Sequence, residues 1–180
     1  MPKVLCILTD NFEDLEAIGP IAILRRAKID VDVATLYKNS ATGKYLNHLT
    51  DLKDLSKINY KDYDLLFLPG GPQWAVLEND PLVKEVIKYY HDNNKFIAAI
   101  CAMPTVLGKM GYLKDKNYTC FKSMNEDFGG IFHDTYCIKD DKLITGMSAA
   151  AAIDFAFLIL ETLTDKTYAQ KIKDSIYYKN

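Results

Sequence analysis

The chain has 180 residues, of which 49% are hydrophobic and 26% are charged, and its formal net charge is −2. This length corresponds to one domain, 1–180, which can bury a full core without disulfides or metal. The composition excludes a disordered or coiled-coil chain, and the slight acidity argues against a nucleic-acid partner, which requires a basic surface.

Short apolar runs alternate with stretches of helical spacing along the whole chain. Continuous apolar runs are typical of strands buried on both faces, and apolar residues three and four apart indicate helices. This alternation predicts an α/β fold with a mostly parallel sheet and helices on both of its faces. In chain order the pattern predicts a strand at 3–8, a helix at 13–27, a strand at 31–34, a short edge segment at 45–49, a strand at 64–68, a helix at 81–92, a strand at 95–100, a helix at 104–110, a hairpin of 135–138 and 142–145, and helices at 149–163 and 166–177.

The apolar runs and the cysteines set two further expectations. The first apolar run is too short for an export signal or a membrane span, so we expect a cytoplasmic chain with no membrane partner. The cysteines form no Cys-x-x-Cys pair, so we expect reduced thiols and no metal site. These cysteines are Cys6, Cys101, Cys120 and Cys137.

One cysteine, Cys101, stands where a buried strand runs directly into a helix. Ligands of parallel sheets bind beyond the carboxyl ends of the strands, and this junction lies there. Small residues at Ala99 and Ala102 permit the sharp turn of a nucleophile elbow. Free backbone N–H groups and the helix dipole predict a lowered pKa for the thiol. The alternative is a small core cysteine, which is our interpretation of the other three because they fall within apparent strands.

A carboxyl group, that of Glu16, falls on the apolar face of the first helix. The residues three, four, seven and eleven positions further on share this face. They are Gly19, Pro20, Ile23 and Ala27. Loss of water raises the pKa of a carboxyl group, so we expect Glu16 to be protonated and to donate a hydrogen bond to a thiolate, sulfinate or oxyanion. A glutamate that extends to water is the alternative.

Two glycines, Gly70 and Gly71, follow the strand at 64–68 and lie between two prolines. Glycine lets the backbone approach a ligand and aim its N–H groups at it, so this loop is a candidate oxyanion site. An ordinary turn is the alternative. No Gly-Lys-Ser or Gly-Lys-Thr follows, which excludes a phosphate loop.

Together these segments resemble the ThiJ/PfpI family, nearest to the branch that includes the Parkinson-associated protein deglycase. The resemblance covers nearly the whole chain. It rests on Phe-Glu-Asp-Leu-Glu (12–16) followed by Pro20 and Arg-Arg-Ala (25–27), on Leu-Pro-Gly-Gly-Pro (68–72), on Ala-Ala-Ile-Cys-Ala-Met-Pro-Thr (98–105) and on Ile-Asp-Phe-Ala (153–156). It implies a flavodoxin-like three-layer sandwich, a homodimer and no cofactor. It also implies that Cys101 is the reactive cysteine and that protonated Glu16 hydrogen-bonds it. The backbone N–H groups of Gly71 and Ala102 would form the oxyanion site.

Several positions depart from the patterns of the family. Ala102 stands where protease-like members have a histidine, which disfavours a cysteine protease. The last third of the chain holds only His133, without the His-x-Glu that glutamine amidotransferases need. Matching residues 118–121 to the strand that carries a histidine in the deglycase branch puts Phe121 in the position of that histidine. The alternative is that the match is shifted and Phe121 packs in the core. Met103 stands where glycine is common in that branch. We therefore expect weakened catalysis, in a pocket shaped by Gly70 and Phe121.

The resemblance implies cofactor-independent chemistry on small reactive carbonyls in oxidative or carbonyl stress. Such a protein would be a glyoxalase III-type lyase that converts 2-oxoaldehydes to 2-hydroxy acids, or a deglycase hydrolase that acts on their adducts. The Cys101 thiolate would attack the aldehyde, and Glu16 would carry a proton between the substrate carbons. The alternative is a non-enzymatic redox sensor or chaperone that signals through oxidation of Cys101 to the sulfinate. Both hypotheses use the same residues, so the sequence does not separate them.

Overall fold

A seven-stranded sheet forms the centre of the computed structural model, which describes residues 1–179. The order in the sheet is β10–β11–β7–β6–β1–β2–β5, and all neighbours are parallel except β10 and β11. Two short pairs, β3–β4 and β8–β9, lie outside it. The strands are β1 (Lys3–Ile7), β2 (Asp30–Thr35), β3 (Ala41–Thr42), β4 (His48–Leu49), β5 (Lys53–Asp54), β6 (Leu65–Leu68), β7 (Phe96–Ile100), β8 (Asn117–Tyr118), β9 (Ile131–Phe132), β10 (Cys137–Asp140) and β11 (Leu143–Gly146).

Helices cover both faces of this sheet. They are α1 (Asp14–Arg26), α2 (Trp74–Leu77), α3 (Pro81–Asp92), α4 (Met103–Lys109), α5 (Ala152–Leu163) and α6 (Lys166–Ser175). Alternate side chains of β1 point to opposite faces. Val4 and Cys6 join α1 and α5 in one apolar cluster, whereas Leu5 and Ile7 join α3 and α4 in the other. The fold is therefore an α/β three-layer sandwich of the flavodoxin-like type with a mostly parallel sheet.

Local sequence explains where the best-predicted elements begin and end. The Asp80 carboxylate caps α3 by accepting the N–H groups of Leu82 and Val83 at 2.9 and 3.0 Å, and Pro81 suits the first helical turn. The helix expected at 81–92 is confirmed with the same bounds. The expected hairpin is also present, with Asp141 in its turn at a φ of 53° and strands that begin one or two residues later than predicted.

The edge segment expected at 45–49 was wrong. Only β4 within it is a strand, and it pairs with β3 in a separate hairpin. The Asp14 carboxylate explains this difference, because it accepts the N–H groups of Tyr45 and Asn47 at 2.9 and 3.2 Å and so holds the hairpin loop against α1. The outer strand of the main sheet on this side is instead β5.

The carboxyl ends of the parallel strands meet at one edge of the sheet. The loops that follow β1, β6 and β7 therefore lie side by side, since these three strands are neighbours in the order β7–β6–β1. They carry the first turn of α1, the two glycines and the cysteine of the elbow. No helix within residues 1–179 combines the length and the apolar character that crossing a membrane requires.

Candidate active site

The backbone turns sharply at Cys101, between the end of β7 and the start of α4. Its φ is 65°, in the left-handed region that side chains other than glycine rarely adopt. Two hydrogen bonds hold this conformation: the Cys101 N–H group donates to the Gly146 carbonyl at 2.9 Å, and the Phe121 N–H group donates to the Cys101 carbonyl at 2.8 Å. Strained backbone of this kind persists where the surroundings impose it. The expected nucleophile elbow is therefore present.

Glu16 lies beneath this elbow, in the first turn of α1, and is 1% exposed. Its Oε2 atom accepts the Gly70 N–H group at 3.0 Å, and its carboxyl group is a hydrogen-bond partner of the Cys101 thiol. Burial raises the pKa of Glu16 to about 7, while the contacts with Cys101 and Gly70 oppose this rise. The carboxyl group therefore keeps its proton to a much higher pH than a glutamate in water does.

The lowered pKa expected for the Cys101 thiol was wrong. Burial raises the pKa of this thiol, and the charge and hydrogen bond of Glu16 raise it further. The backbone N–H groups of Gly71 and Ala102 donate hydrogen bonds to the thiol and lower its pKa, but they do not outweigh the effects of burial and of Glu16. A second negative charge beside an ionised carboxylate is unfavourable, so the pair carries at most one negative charge.

Both glycines of the loop after β6 are required by close contacts. A Cβ atom on Gly70 would lie 2.5 Å from Glu16 Oε2 and 2.6 Å from Cys101 Cβ. Gly71 has a φ of 91°, and a Cβ atom there would lie 2.3 Å from the Glu13 nitrogen. A larger residue at either position would push apart the thiol, the carboxyl group and the N–H donors.

Phe121 lies next to the elbow through its backbone, and its side chain is 41% exposed. It is therefore not a core residue. Cys120, just before it, is fully buried but lies after β8 and outside any strand, which corrects the strand expected there. Cys101 and Cys120 belong to the apolar clusters on opposite faces of the sheet, so their side chains do not form a pair.

Each histidine has a hydrogen-bond partner away from the thiol. His48 contacts Thr42, and His91 contacts its neighbour Asp92. His133 Nε2 lies 2.7 Å from the side-chain oxygen of Asn117. Among residues 1–179, no three His, Cys, Asp or Glu side chains are arranged to hold a metal ion.

One residue of the site, Gln73, was not predicted from the sequence. Its side chain has no exposed surface, and it hydrogen-bonds the carbonyls of Pro69 and Gly70. Glutamine is mostly a surface residue, so its type gave no indication of burial. Its position directly after the Gly-Gly-Pro turn was the one available signal.

The arrangement combines three chemical functions in one buried corner. The thiol is a nucleophile, the carboxyl group can accept and return a proton, and two N–H groups can stabilise an oxyanion. This combination suits addition to a carbonyl carbon.

Comparison with known proteins places the chain in a family. A family model described as the DJ-1/PfpI family matches residues 2–162. Protein dj-1beta of Drosophila melanogaster is 33% identical over 176 residues, which cover 94% of each chain. The glutathione-independent glyoxalase DJR-1.2 of Caenorhabditis elegans is 30% identical over 162 residues, which cover 86% of this chain and 84% of the relative.

The three-dimensional fold agrees with this assignment. The crystal structure of Drosophila melanogaster DJ-1beta matches with a TM-score of 0.91 and 29% identity, over 99% of both chains. Since the family model spans most of the sequence and its relatives cover nearly all of it, the chain belongs to the DJ-1/PfpI family.

Proposed function

We propose that this chain is a cofactor-independent glyoxalase that converts a small 2-oxoaldehyde, such as methylglyoxal, into the corresponding 2-hydroxy acid. The observation that carries the proposal is the buried pairing of the Cys101 thiol and the Glu16 carboxyl group beside two backbone N–H donors. The similarity to a glutathione-independent glyoxalase supports it. Cys101 is only 9% exposed, which favours a small substrate.

The proposed reaction begins with the thiol and an ionised carboxylate. Glu16 takes the thiol proton as the Cys101 sulfur attacks the aldehyde carbon. The resulting alkoxide accepts hydrogen bonds from the Gly71 and Ala102 N–H groups, and it then takes the proton from Glu16 to give a hemithioacetal.

A proton transfer between two carbons completes the chemistry. Glu16 removes the hydrogen of the former aldehyde carbon as a proton and delivers a proton to the neighbouring carbon. The hydroxyl proton moves to the neighbouring oxygen, which leaves the thioester of a 2-hydroxy acid on Cys101. Water hydrolyses this thioester, releases the acid and restores the thiol.

The pKa of about 7 suits Glu16 to this work. A group with a pKa near the ambient pH is available both as a base and as an acid. The raised pKa of the Cys101 thiol is then no obstacle, because the proton passes to the adjacent carboxylate during the attack.

Deglycation follows from the same chemistry. Early adducts of cysteine, lysine and arginine side chains release the free 2-oxoaldehyde reversibly, and its consumption would draw these adducts back to the unmodified side chain.

Trapping the covalent intermediate tests this proposal. Glu16→Gln removes the proton carrier of both steps. Water can replace Glu16 slowly in the addition of the thiol to the aldehyde, but it is a poor carrier of a proton between two carbons. We therefore expect methylglyoxal to accumulate as an adduct on Cys101, visible by mass spectrometry of the intact protein and of the elbow peptide. Cys101→Ala is the control and should carry no such adduct. Adducts confined to lysine and arginine side chains in both variants would contradict the mechanism.

A redox role is the second candidate, and one observation favours it. The N–H groups of Gly71 and Ala102 and the protonated form of Glu16 could equally hold the oxygens of a Cys101 sulfinate. Two molecules of peroxide would supply the oxidation, and each would be reduced to water.

We also propose a homodimer. The exposed face of α1 carries Leu15, which is 62% exposed, next to the half-buried Ile18. Contiguous apolar patches mark contact surfaces, and we place these two side chains at the centre of the proposed contact. Sedimentation at micromolar concentration should show a symmetric dimer, and a monomer would contradict this assembly.

A further inference from the structure

The Gln73 side chain connects two of the loops that form the site by hydrogen bonds. Its Nε2 group donates to two successive carbonyls, that of Pro69 at 2.7 Å and that of Gly70 at 3.1 Å. Its Oε1 atom accepts the N–H group of Thr9, just after β1, at 2.6 Å. The loop after β6 is therefore fastened to the loop after β1 by one buried amide.

The two peptide groups that Gln73 holds by their carbonyls point their N–H groups at the reactive pair. These bonds are trans, and in a trans peptide the C=O and N–H directions are opposite. The peptide with the Pro69 carbonyl carries the Gly70 N–H group, which donates to Glu16 Oε2 at 3.0 Å. The peptide with the Gly70 carbonyl carries the Gly71 N–H group, which donates to the reactive thiol.

Two successive glycines make this orientation easy to lose. Without Cβ atoms, the peptide between Gly70 and Gly71 can reverse with little steric hindrance from its own residues. The Gly70 carbonyl oxygen would then face the sulfur, and its partial negative charge would disfavour the thiolate and any oxyanion. The Glu13 N–H group also holds this carbonyl, at 3.0 Å, so the Gln73 side chain is one of two restraints on it.

We propose that Gln73 is a positioning residue that fixes, through the Pro69 and Gly70 carbonyls, the N–H groups that serve Glu16 and Cys101. The inference rests on the function proposed above for that pair, but it concerns the reactivity of the thiol and not one particular substrate.

Two substitutions of Gln73 test this role by the rate at which iodoacetamide alkylates Cys101. Gln73→Met keeps the side-chain length and removes every hydrogen bond of the side chain. Gln73→Glu keeps the acceptor for Thr9, and its carboxyl group has at most one proton, so it can donate to no more than one of the two carbonyls. We expect both variants to react about tenfold more slowly near neutral pH, which is less than the 10²–10³-fold that follows complete loss of an oxyanion donor. The midpoint of the pH profile should also move upward.

Val86→Ala is the matched control for a loss of stability. Val86 is fully buried in α3, outside the loops of the site. This variant should lower Tm as the Gln73 variants do and keep the wild-type alkylation profile. Peptide mass spectrometry assigns the alkylated cysteine in each case. Folded Gln73 variants with a wild-type profile would overturn the proposal, as would the same change of profile in Val86→Ala.

A measurement on the unmodified chain covers the case in which neither Gln73 variant folds. Both Nε2 protons of Gln73 should exchange slowly with solvent by NMR, because each donates to a buried carbonyl, and rapid exchange would overturn the proposal. Alkylation probes the thiol directly and needs no turnover. An alkylation defect in the Gln73 variants of a protein that does not consume methylglyoxal would therefore refute the proposed function and leave the positioning role in place.

Discussion

Glu16→Gln isolates the free energy that depends on the buried carboxyl group. Burial raises the pKa of Glu16 from its ordinary 4.5 to about 7. The folded chain therefore keeps this proton at pH values where the unfolded chain releases it. The stability linked to the group is fully present below its unfolded pKa and is lost as the pH rises through its folded pKa.

The two pKa values set the size of the effect. At about 1.4 kcal/mol for each pH unit that separates them, the loss amounts to about 3 kcal/mol between about pH 4.5 and pH 8. Glutamine does not ionise, and its amide can accept the Gly70 N–H group and donate to the thiol. We therefore expect the unfolding free energy of Glu16→Gln, relative to the wild type, to rise by about 3 kcal/mol over this range.

Urea unfolding at a series of pH values measures this difference. Trp74 is the sole tryptophan and is half-buried, so its fluorescence reports the transition. Subtracting the wild-type value at each pH removes the contribution of the other titrating groups. Glu126→Gln changes an exposed carboxyl group and should follow the wild type. A difference for Glu16→Gln that stays flat or falls with pH would refute the reasoning.

Three further tests address the other parts of the site. Gly70→Ala should reduce turnover about 10²-fold, because the new Cβ atom would lie 2.6 Å from Cys101 Cβ. Gly19→Ala is the control, because a Cβ atom at that position would have no neighbour within 4 Å. Equal rates in the two variants would contradict the prediction. Phe121→His should raise methylglyoxal turnover by about 10²-fold at most, without loss of Tm, because the side chain is 41% exposed; a lower Tm with no gain would show that Phe121 is needed for packing. Dilute peroxide should form a sulfinate first at Cys101, where N–H groups stabilise the oxidised anion, and peptide mass spectrometry that finds Cys137 oxidised first would count against this.

Much of the fold could be predicted because its signals are local. A continuous apolar run marks β7 as a strand buried on both faces, and the Asp80-Pro81 pair marks the start of α3. The hairpin of β3 and β4 could not be predicted in the same way. Its place depends on the Asp14 carboxylate, which lies 31 residues before Tyr45 in the chain.

The site also has a part that local sequence predicts and a part that depends on contacts between distant segments. The positions of Cys101 at an elbow and of Glu16 on a buried helical face follow from local sequence and helical spacing. The shift in the pKa of the thiol does not, because its direction depends first on the burial of the thiol and then on how closely the carboxyl group approaches it in the folded chain. Gln73 was missed for a related reason, since its partners become its neighbours only when the loops after β1 and β6 meet.

The central claim is that the Cys101 thiol and the Glu16 carboxyl group together convert a 2-oxoaldehyde to a 2-hydroxy acid. Its most direct measurement is the initial rate of lactate formation from methylglyoxal by purified protein without glutathione. We expect turnover by the wild type, none by Cys101→Ser, and a rate about 10²–10⁴-fold lower for Glu16→Gln. Equal lactate formation by the wild type and Cys101→Ser, or none by either, would contradict the claim.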